Sequence, residues 1–266
     1  MPRLAVLGHP VSHSRSPAMH GAALAALGLG QGWSYEAIDV APEGFEARVR
    51  RMPEEDFVGA NVTVPHKGAA LAVADQLSVV AREVGAANTL VFGGGEIRAE
   101  NTDAEGLVNA LPTSPNGRRA LVLGAGGAGR AALWALVREG AAVEVWNRTE
   151  LRSRHLCEEL GGLAVTEPVQ GEYELIINTT AVGLRGEDPF QELPLDPARF
   201  NAGQTVIDMV YGRGPSRLLA AAQGRGATVV DGIEVLVQQG ALSLAIWTGR
   251  EAPVEVMRAA ARQGGG

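Results

Sequence analysis

The run Ala120-Leu121-Val122-Leu123-Gly124-Ala125-Gly126-Gly127-Ala128-Gly129 constrains the fold more than any other stretch of the chain. Four apolar residues make a buried strand, the glycines turn the backbone tightly, and the alanine-rich stretch 130–139 continues as a helix. A strand that enters a helix through such a turn belongs to a βαβ unit, and hence to a mostly parallel sheet. The downstream sequence repeats the pattern, with strands expected at 143–146, 175–177, 206–209 and 228–230 and helices between them. Helical spacing resumes after Val235, through Leu236, Leu242, Ile246 and Trp247, and the terminal Gly264-Gly265-Gly266 is expected to fray.

The first hundred residues also alternate between strand and helix. Residues 4–7 read as a short buried strand and 17–27 as a helix, with Ser16 as N-cap and Pro17 at the first helical position. A strand at 58–64 leads to helices at about 67–77 and 78–84. A hairpin follows at 89–97, turning through Gly93-Gly94-Gly95, and then a helix at 103–111. Pro112-Thr113-Ser114-Pro115-Asn116-Gly117 is a loop by composition. At 266 residues the chain accommodates two domains of ordinary size, and the change between them falls near residue 103.

Composition excludes several classes of function. A formal charge of −7 disfavours nucleic acid and anionic membranes, whose affinity comes from clustered Lys and Arg. The N-terminal apolar run is too short for a signal-peptide core, and no stretch has the length of a membrane span. A single cysteine, Cys157, in a charged helical stretch, rules out an internal disulfide and suits a reducing, cytoplasmic compartment. His9 and His13 are four apart, but Pro10 interrupts any helical pairing and nothing completes a metal-ligand set.

The glycine loop has the context that gives the Gly-x-Gly-x-x-Gly pattern a physical meaning. Gly124, Gly126 and Gly129, with Ala125, Gly127 and Ala128 between them, permit close approach of a pyrophosphate whose charge is met by backbone amides and the helix dipole. The end of the next strand discriminates between dinucleotides. An acid there would hold the ribose hydroxyl of NAD, whereas this chain has Asn147-Arg148-Thr149, with Arg152 one helical turn on. Guanidinium groups match a phosphate in charge and shape, so NADP is the expected cofactor.

A nicotinamide cofactor needs a partner that handles the substrate's proton. Of the 23 basic residues only Lys67, in Asn61-Val62-Thr63-Val64-Pro65-His66-Lys67, is a lysine. Unlike guanidinium, an ammonium group can exchange a proton with substrate. Asp103, in Asn101-Thr102-Asp103 at the domain change, is the candidate carboxylate beside it, although taken alone it reads first as a helix cap. His66 reads either as a tuning group for Lys67 or as an ordinary loop histidine.

Ser12-His13-Ser14-Arg15-Ser16-Pro17, the Lys67 segment, Gly85-Ala86-Ala87-Asn88-Thr89, Asn101-Thr102-Asp103, the glycine loop, Asn147-Arg148-Thr149 and Gln239-Gly240 occur in the order and spacing of the shikimate dehydrogenase family, across about 230 residues. The chain therefore resembles that family, with its quinate-using relatives. The resemblance implies an N-terminal α/β substrate domain, residues 1–103 completed by C-terminal helices at 233–266, and a Rossmann-type doubly wound NADP domain at 104–232. It implies reversible NADP-dependent reduction of 3-dehydroshikimate to shikimate, a step of aromatic amino-acid biosynthesis, by a monomer or homodimer.

Carried over residue by residue, the resemblance makes Lys67 and Asp103 the catalytic pair and Ser14 and Ser16 binders of the substrate carboxylate, helped by Tyr211. Asn61, Thr63, Asn88 and Gln239 then line the substrate site. The cofactor set is the glycine loop, Asn147, Arg148, Thr149, Arg152, Met209 and Gly232. The chain departs from the family pattern at Ala104, where a glycine is common, at Val235, and over residues 212–217. Two rivals remain at this level: a quinate/shikimate enzyme with relaxed cofactor choice, and a non-catalytic nucleotide sensor on the same fold.

Overall fold

The computed structural model describes residues 1–212 and 214–263; Arg213 and the expected fraying of the terminal glycines lie outside them. The chain forms two compact units, Met1–Gly106 with the chain from Leu236 onward, and Leu107–Val235.

In the first unit the strands are β1 (Arg3–Gly8), β2 (Ser34–Asp39), β3 (Phe57–Val62), β4 (Gln76–Leu77), β5 (Thr89–Gly93) and β6 (Glu96–Glu100), in the sheet order β2-β1-β3-β5-β6-β4. Its helices up to the unit boundary are α1 (Ser16–Ala26), α2 (Phe45–Arg51), α3 (Lys67–Val73), α4 (Val79–Val84) and α5 (Asp103–Ala110), the last running into the second unit. β1 pairs in parallel with β2 and β3, and β3, β5 and β6 are antiparallel neighbours. Leu7, Phe45, Val49, Met52 and Leu90 share one buried core.

The second unit carries β7 (Arg119–Leu123), α6 (Gly127–Arg138), β8 (Ala142–Trp146), α7 (Glu150–Leu160), β9 (Leu163–Ala164) and β10 (Leu175–Asn178). It continues with α8 (Pro189–Glu192), β11 (Thr205–Asp208), α9 (Arg217–Gly224) and β12 (Thr228–Asp231). All pairings are parallel, in the order β12-β11-β10-β7-β8-β9, the doubly wound arrangement. Side chains alternate across the sheet, so Val122, Ile177 and Ile207 join the core on one face, and Leu121, Leu123, Ile176 and Val206 the core on the other. Burial on both faces is why β7 and β10 read as unbroken apolar runs. α10 (Gly232–Thr248) leads back into the first unit, and α11 (Val254–Gln263) packs on α1 through the buried Met257 and Ala261.

Several local expectations change. Ser16 lies inside α1, whose N-cap is Arg15, and the Ser16 amide donates to Ser14 Oγ at 3.3 Å. α3 stops at Val73 because Asp75 exchanges hydrogen bonds with Ile97, drawing Gln76 and Leu77 into the sheet as β4. Here tertiary pairing overrides helical propensity. α6 starts at Gly127 rather than Arg130, and β11 ends at Asp208, one residue before Met209.

Candidate active site

Lys67 and Asp103 meet because two chain reversals end beside each other. The turn after β3, tied by Thr63 N–H to Leu7 O and His66 N–H to Thr63 O, starts α3 at Lys67. The His66 ring is occupied elsewhere, with Nε2 2.7 Å from Val40 O and its face stacked on Phe45. Asp103 opens α5 directly after β6. Asn101 Oδ1 accepts from the Ala104 amide at 3.1 Å and so serves the start of this helix, which releases the Asp103 carboxylate from capping. Lys67 Nζ donates to Asp103 Oδ2 at 2.5 Å, with both side chains largely buried.

The other oxygen of Asp103 belongs to a carboxamide network. Asn88 Nδ2 lies 3.0 Å from Asp103 Oδ1, 3.0 Å from Gln239 Oε1 and 2.9 Å from Thr102 Oγ1. Its two N–H groups are shared among these three acceptors. The Thr102 amide donates to Asn88 Oδ1 at 2.7 Å and fixes which way the carboxamide faces. Gln239 reaches this point only because α10 crosses α5 at Gly106, where a Cβ would lie 2.7 Å from the Gln239 backbone. Asn61, at the end of β3, joins through Thr89 Oγ1 and Ser243 Oγ.

The fold therefore brings Lys67, Asp103, Asn88, Gln239 and Asn61 into one hydrogen-bonded cluster. Ser14 and the buried Ser16 stay on the segment entering α1, and Thr63 stands on the turn before Lys67. Tyr211 belongs to the second unit and is half-buried just after β11. Sequence reasoning missed Tyr35, whose hydroxyl donates to Asn61 Oδ1 at 2.7 Å, together with Ser243 and Thr102. Among the described residues, no three His, Cys, Asp or Glu side chains gather as a metal site. Burial pushes the half-buried Cys157 thiol up to about 11, away from a nucleophilic state.

In the second unit the glycine loop has the form of an anion cradle. Gly124 adopts φ +109°, and a Cβ on Gly129 would collide with Gly124 O, so helix and strand approach too closely for any side chain there. α6 begins after Gly126 without a side-chain cap, leaving amides of Gly127, Ala128 and Gly129 at the positive end of the helix. Asn147 ties the loop to the next turn, accepting from Ala125 N–H at 3.2 Å and donating to Thr149 O at 2.9 Å. Thr149 precedes α7; Arg148 is 85% exposed, 3.9 Å from Glu192, and Arg152 is exposed one turn on. Their reach and charge suit a phosphate.

Met209 donates its amide to Asn178 O, and Gly232 opens α10 against the Met209 carbonyl. Behind Met209, Asn178 Nδ2 and Val210 N–H both donate to the buried Asp208, whose carboxyl is raised above its ordinary range by desolvation. Asn178 could have been found in the sequence as the polar residue that ends an apolar strand next to the switch point.

Two family models match the chain: Shikimate dehydrogenase substrate binding domain over residues 6–90, and Shikimate 5'-dehydrogenase C-terminal domain over residues 232–262. The shikimate dehydrogenase (NADP(+)) of Moorella thermoacetica is 41% identical over 270 residues, spanning 96% of this chain and 90% of that one. Among solved structures, shikimate 5-dehydrogenase from Thermus thermophilus in complex with NADP(H) and shikimate has a TM-score of 0.90 at 43% identity, covering 99% of both chains. Shikimate dehydrogenase from Aquifex aeolicus has a TM-score of 0.91 at 33% identity, covering 98% of both.

Proposed function

Because the chain belongs to the shikimate dehydrogenase family, we propose that it catalyses the reversible, NADP-dependent reduction of 3-dehydroshikimate to shikimate. The observation that carries this reading is the 2.5 Å contact between the only lysine and Asp103 inside a cluster of neutral hydrogen-bonding side chains. A polyhydroxylated ring acid requires that combination: many neutral donors and acceptors for the ring, and one group able to move a proton.

When bound, the reduced nicotinamide supplies a hydride to the ring carbonyl carbon. Lys67 then donates a proton to the developing alkoxide, and Asp103 holds the ammonium in line while the Asn88 carboxamide holds Asp103. In the reverse direction Lys67 accepts the hydroxyl proton. Asn61, Thr63, Asn88 and Gln239 bind ring hydroxyls, and Ser14, Ser16 and Tyr211 bind the substrate carboxylate. Residues 124–129 would hold the pyrophosphate, Asn147 and Thr149 would shape the adjoining turn, Arg148 and Arg152 would take the 2′-phosphate, and Met209 and Gly232 would serve the nicotinamide end. The proposed substrate domain, 1–103 with 233–266, and cofactor domain, 104–232, differ by three residues at each boundary from the compact units Met1–Gly106 with the chain from Leu236, and Leu107–Val235.

No helix among the described residues is long and apolar enough to cross a membrane, and the lone cysteine suits a reducing cytoplasm.

The test follows reduced-nicotinamide absorbance with NADP+ and shikimate, then with NAD+ and with quinate. Rapid turnover with the first pair, and weak turnover when either component is replaced, is the expected result. Binding of NADP+ without oxidation of shikimate overturns the assignment in favour of a sensor. Equal use of quinate and NAD+ favours the relaxed relative, against which the Asn147-Arg148-Thr149 turn already speaks.

A further inference from the structure

Ser243 is fully buried and touches neither of the paired charges, yet it stands where three elements of the first unit converge. It lies one helical turn after Gln239 on α10, so the two side chains share a face. Its hydroxyl donates to the Gln239 carbonyl at 3.0 Å. A carbonyl can only accept and a hydroxyl has one proton, so toward its other neighbours Ser243 offers lone pairs alone. One lone pair takes Asn61 Nδ2 at 2.9 Å, and the Thr89 and Thr102 hydroxyls, 2.9 and 3.1 Å away, share what is left.

This arrangement decides which way round the Asn61 carboxamide sits. A lone pair attracts the NH2 end and repels the oxygen. From the opposite side the Tyr35 hydroxyl donates to Asn61 Oδ1, with the Tyr35 ring stacked on the fully buried His20 at 4.3 Å and an interplanar angle of 5°. The two Nδ2 protons are then shared among Ser243, Thr89 Oγ1 at 3.2 Å and Asn88 O at 3.3 Å, while Oδ1 has a second lone pair beyond the one that faces Tyr35, on a carboxamide that also neighbours His20. Toward a hydroxylated ring, Asn61 in this orientation acts as an acceptor.

We infer that Ser243 is a positioning residue for the reaction: with Tyr35 it locks the Asn61 carboxamide with its oxygen available to a substrate hydroxyl, and so sets the affinity for shikimate. The inference rests on the reading of Asn61 as a substrate-binding residue. It assigns to Ser243 no contact with substrate, and predicts a loss in KM rather than in the chemical step.

Steady-state kinetics of the full-length protein with shikimate and NADP+ test it. Ser243→Ala should raise KM for shikimate about tenfold, with kcat within about twofold and KM for NADP+ unchanged. Tyr35→Phe, which removes one oxygen from the other end of the carboxamide, should act in the same direction and carries the test if Ser243→Ala does not fold. In an Asn61→Ala background the Ser243→Ala effect should vanish, because there is no carboxamide left to orient. A wild type that turns over shikimate beside a Ser243→Ala variant of unchanged KM overturns the positioning role and leaves the enzyme's function standing. An undiminished Ser243→Ala effect in the Asn61→Ala background overturns it too, since the serine then acts by another route.

Discussion

The two units hold their polar sites by opposite means. In the first unit Asn61, Asn88, Asp103 and Gln239 are each no more than 7% exposed and are bonded to one another across α5, α10 and the strand ends. In the second unit the loop at residues 124–129 is shaped by close backbone packing, and the cations proposed for a phosphate stand in solvent, Arg148 at 85% exposure. A buried network fixes orientation before a ligand arrives, and each lost partner strands a polar group at a cost of about 1–3 kcal/mol. Exposed arginines cost little to keep, and contribute once a phosphate meets them. Discrimination among ring hydroxyls suits the first design, and recognition of a phosphorylated nucleotide suits the second.

The largest effects should come from breaking one site and sparing the other. Gly106→Ala places a Cβ 2.7 Å from the Gln239 backbone and should lower kcat/KM for shikimate by about a hundredfold or more, while calorimetry still detects NADP+ binding. Gly129→Ala drives a Cβ into Gly124 O and should do the reverse, weakening NADP+ by about a hundredfold with shikimate binding retained. If either substitution damaged both sites equally, the division between the two designs would be wrong.

A smaller, graded change should follow loss of an exposed cation. Arg148→Ala should raise KM for NADP+ about tenfold, leave KM for NAD+ unchanged, and flatten the salt dependence of NADP+ binding. An equal loss for both nucleotides would move Arg148 away from the 2′-phosphate.

The last effect is one of stability rather than of activity, and distinguishes the packed unit by its response to acid. Burial pushes His20 from 6.5 down to about 3; Asn61 nearby acts in the opposite direction, and neither ring nitrogen has a hydrogen-bond partner of normal geometry among the described residues. Between about 6.5 and about 3 the unfolded chain binds a proton that the native ring refuses, so stability is whole above this window and falls as pH falls through it. The slope is at most about 1.4 kcal/mol per pH unit. Denaturant melts of His20→Phe at several pH values should show a shallower dependence than wild type; parallel slopes would place the sensitivity on other groups.

Legibility in the sequence followed the same division. The second unit's strands could be read because both faces of β7 and β10 are buried, making continuous apolar runs beside glycines that only a tight turn requires. β2, with its half-exposed Ser34–Asp39, lacks such a run and escaped notice at the sheet edge. Lys67 stood out by composition, but whether Asp103 caps a helix or faces Lys67 turned on Asn101 taking the capping role. Ser243 and Tyr35 could not be found at all, because their meaning lies in contacts with Asn61, from which Ser243 is 182 residues distant in the chain. Local pattern reveals elements and turns, whereas a side-chain network exists only once distant elements have packed.

Lys67→Arg tests the central claim most directly. Arginine keeps the positive charge facing Asp103 yet cannot give up a proton at any working pH. Measured with NADP+ and shikimate, kcat should fall by about a hundredfold or more while KM for shikimate changes only a few-fold. A variant that keeps kcat within about twofold of wild type would show that charge alone suffices, and that Lys67 does not handle the proton.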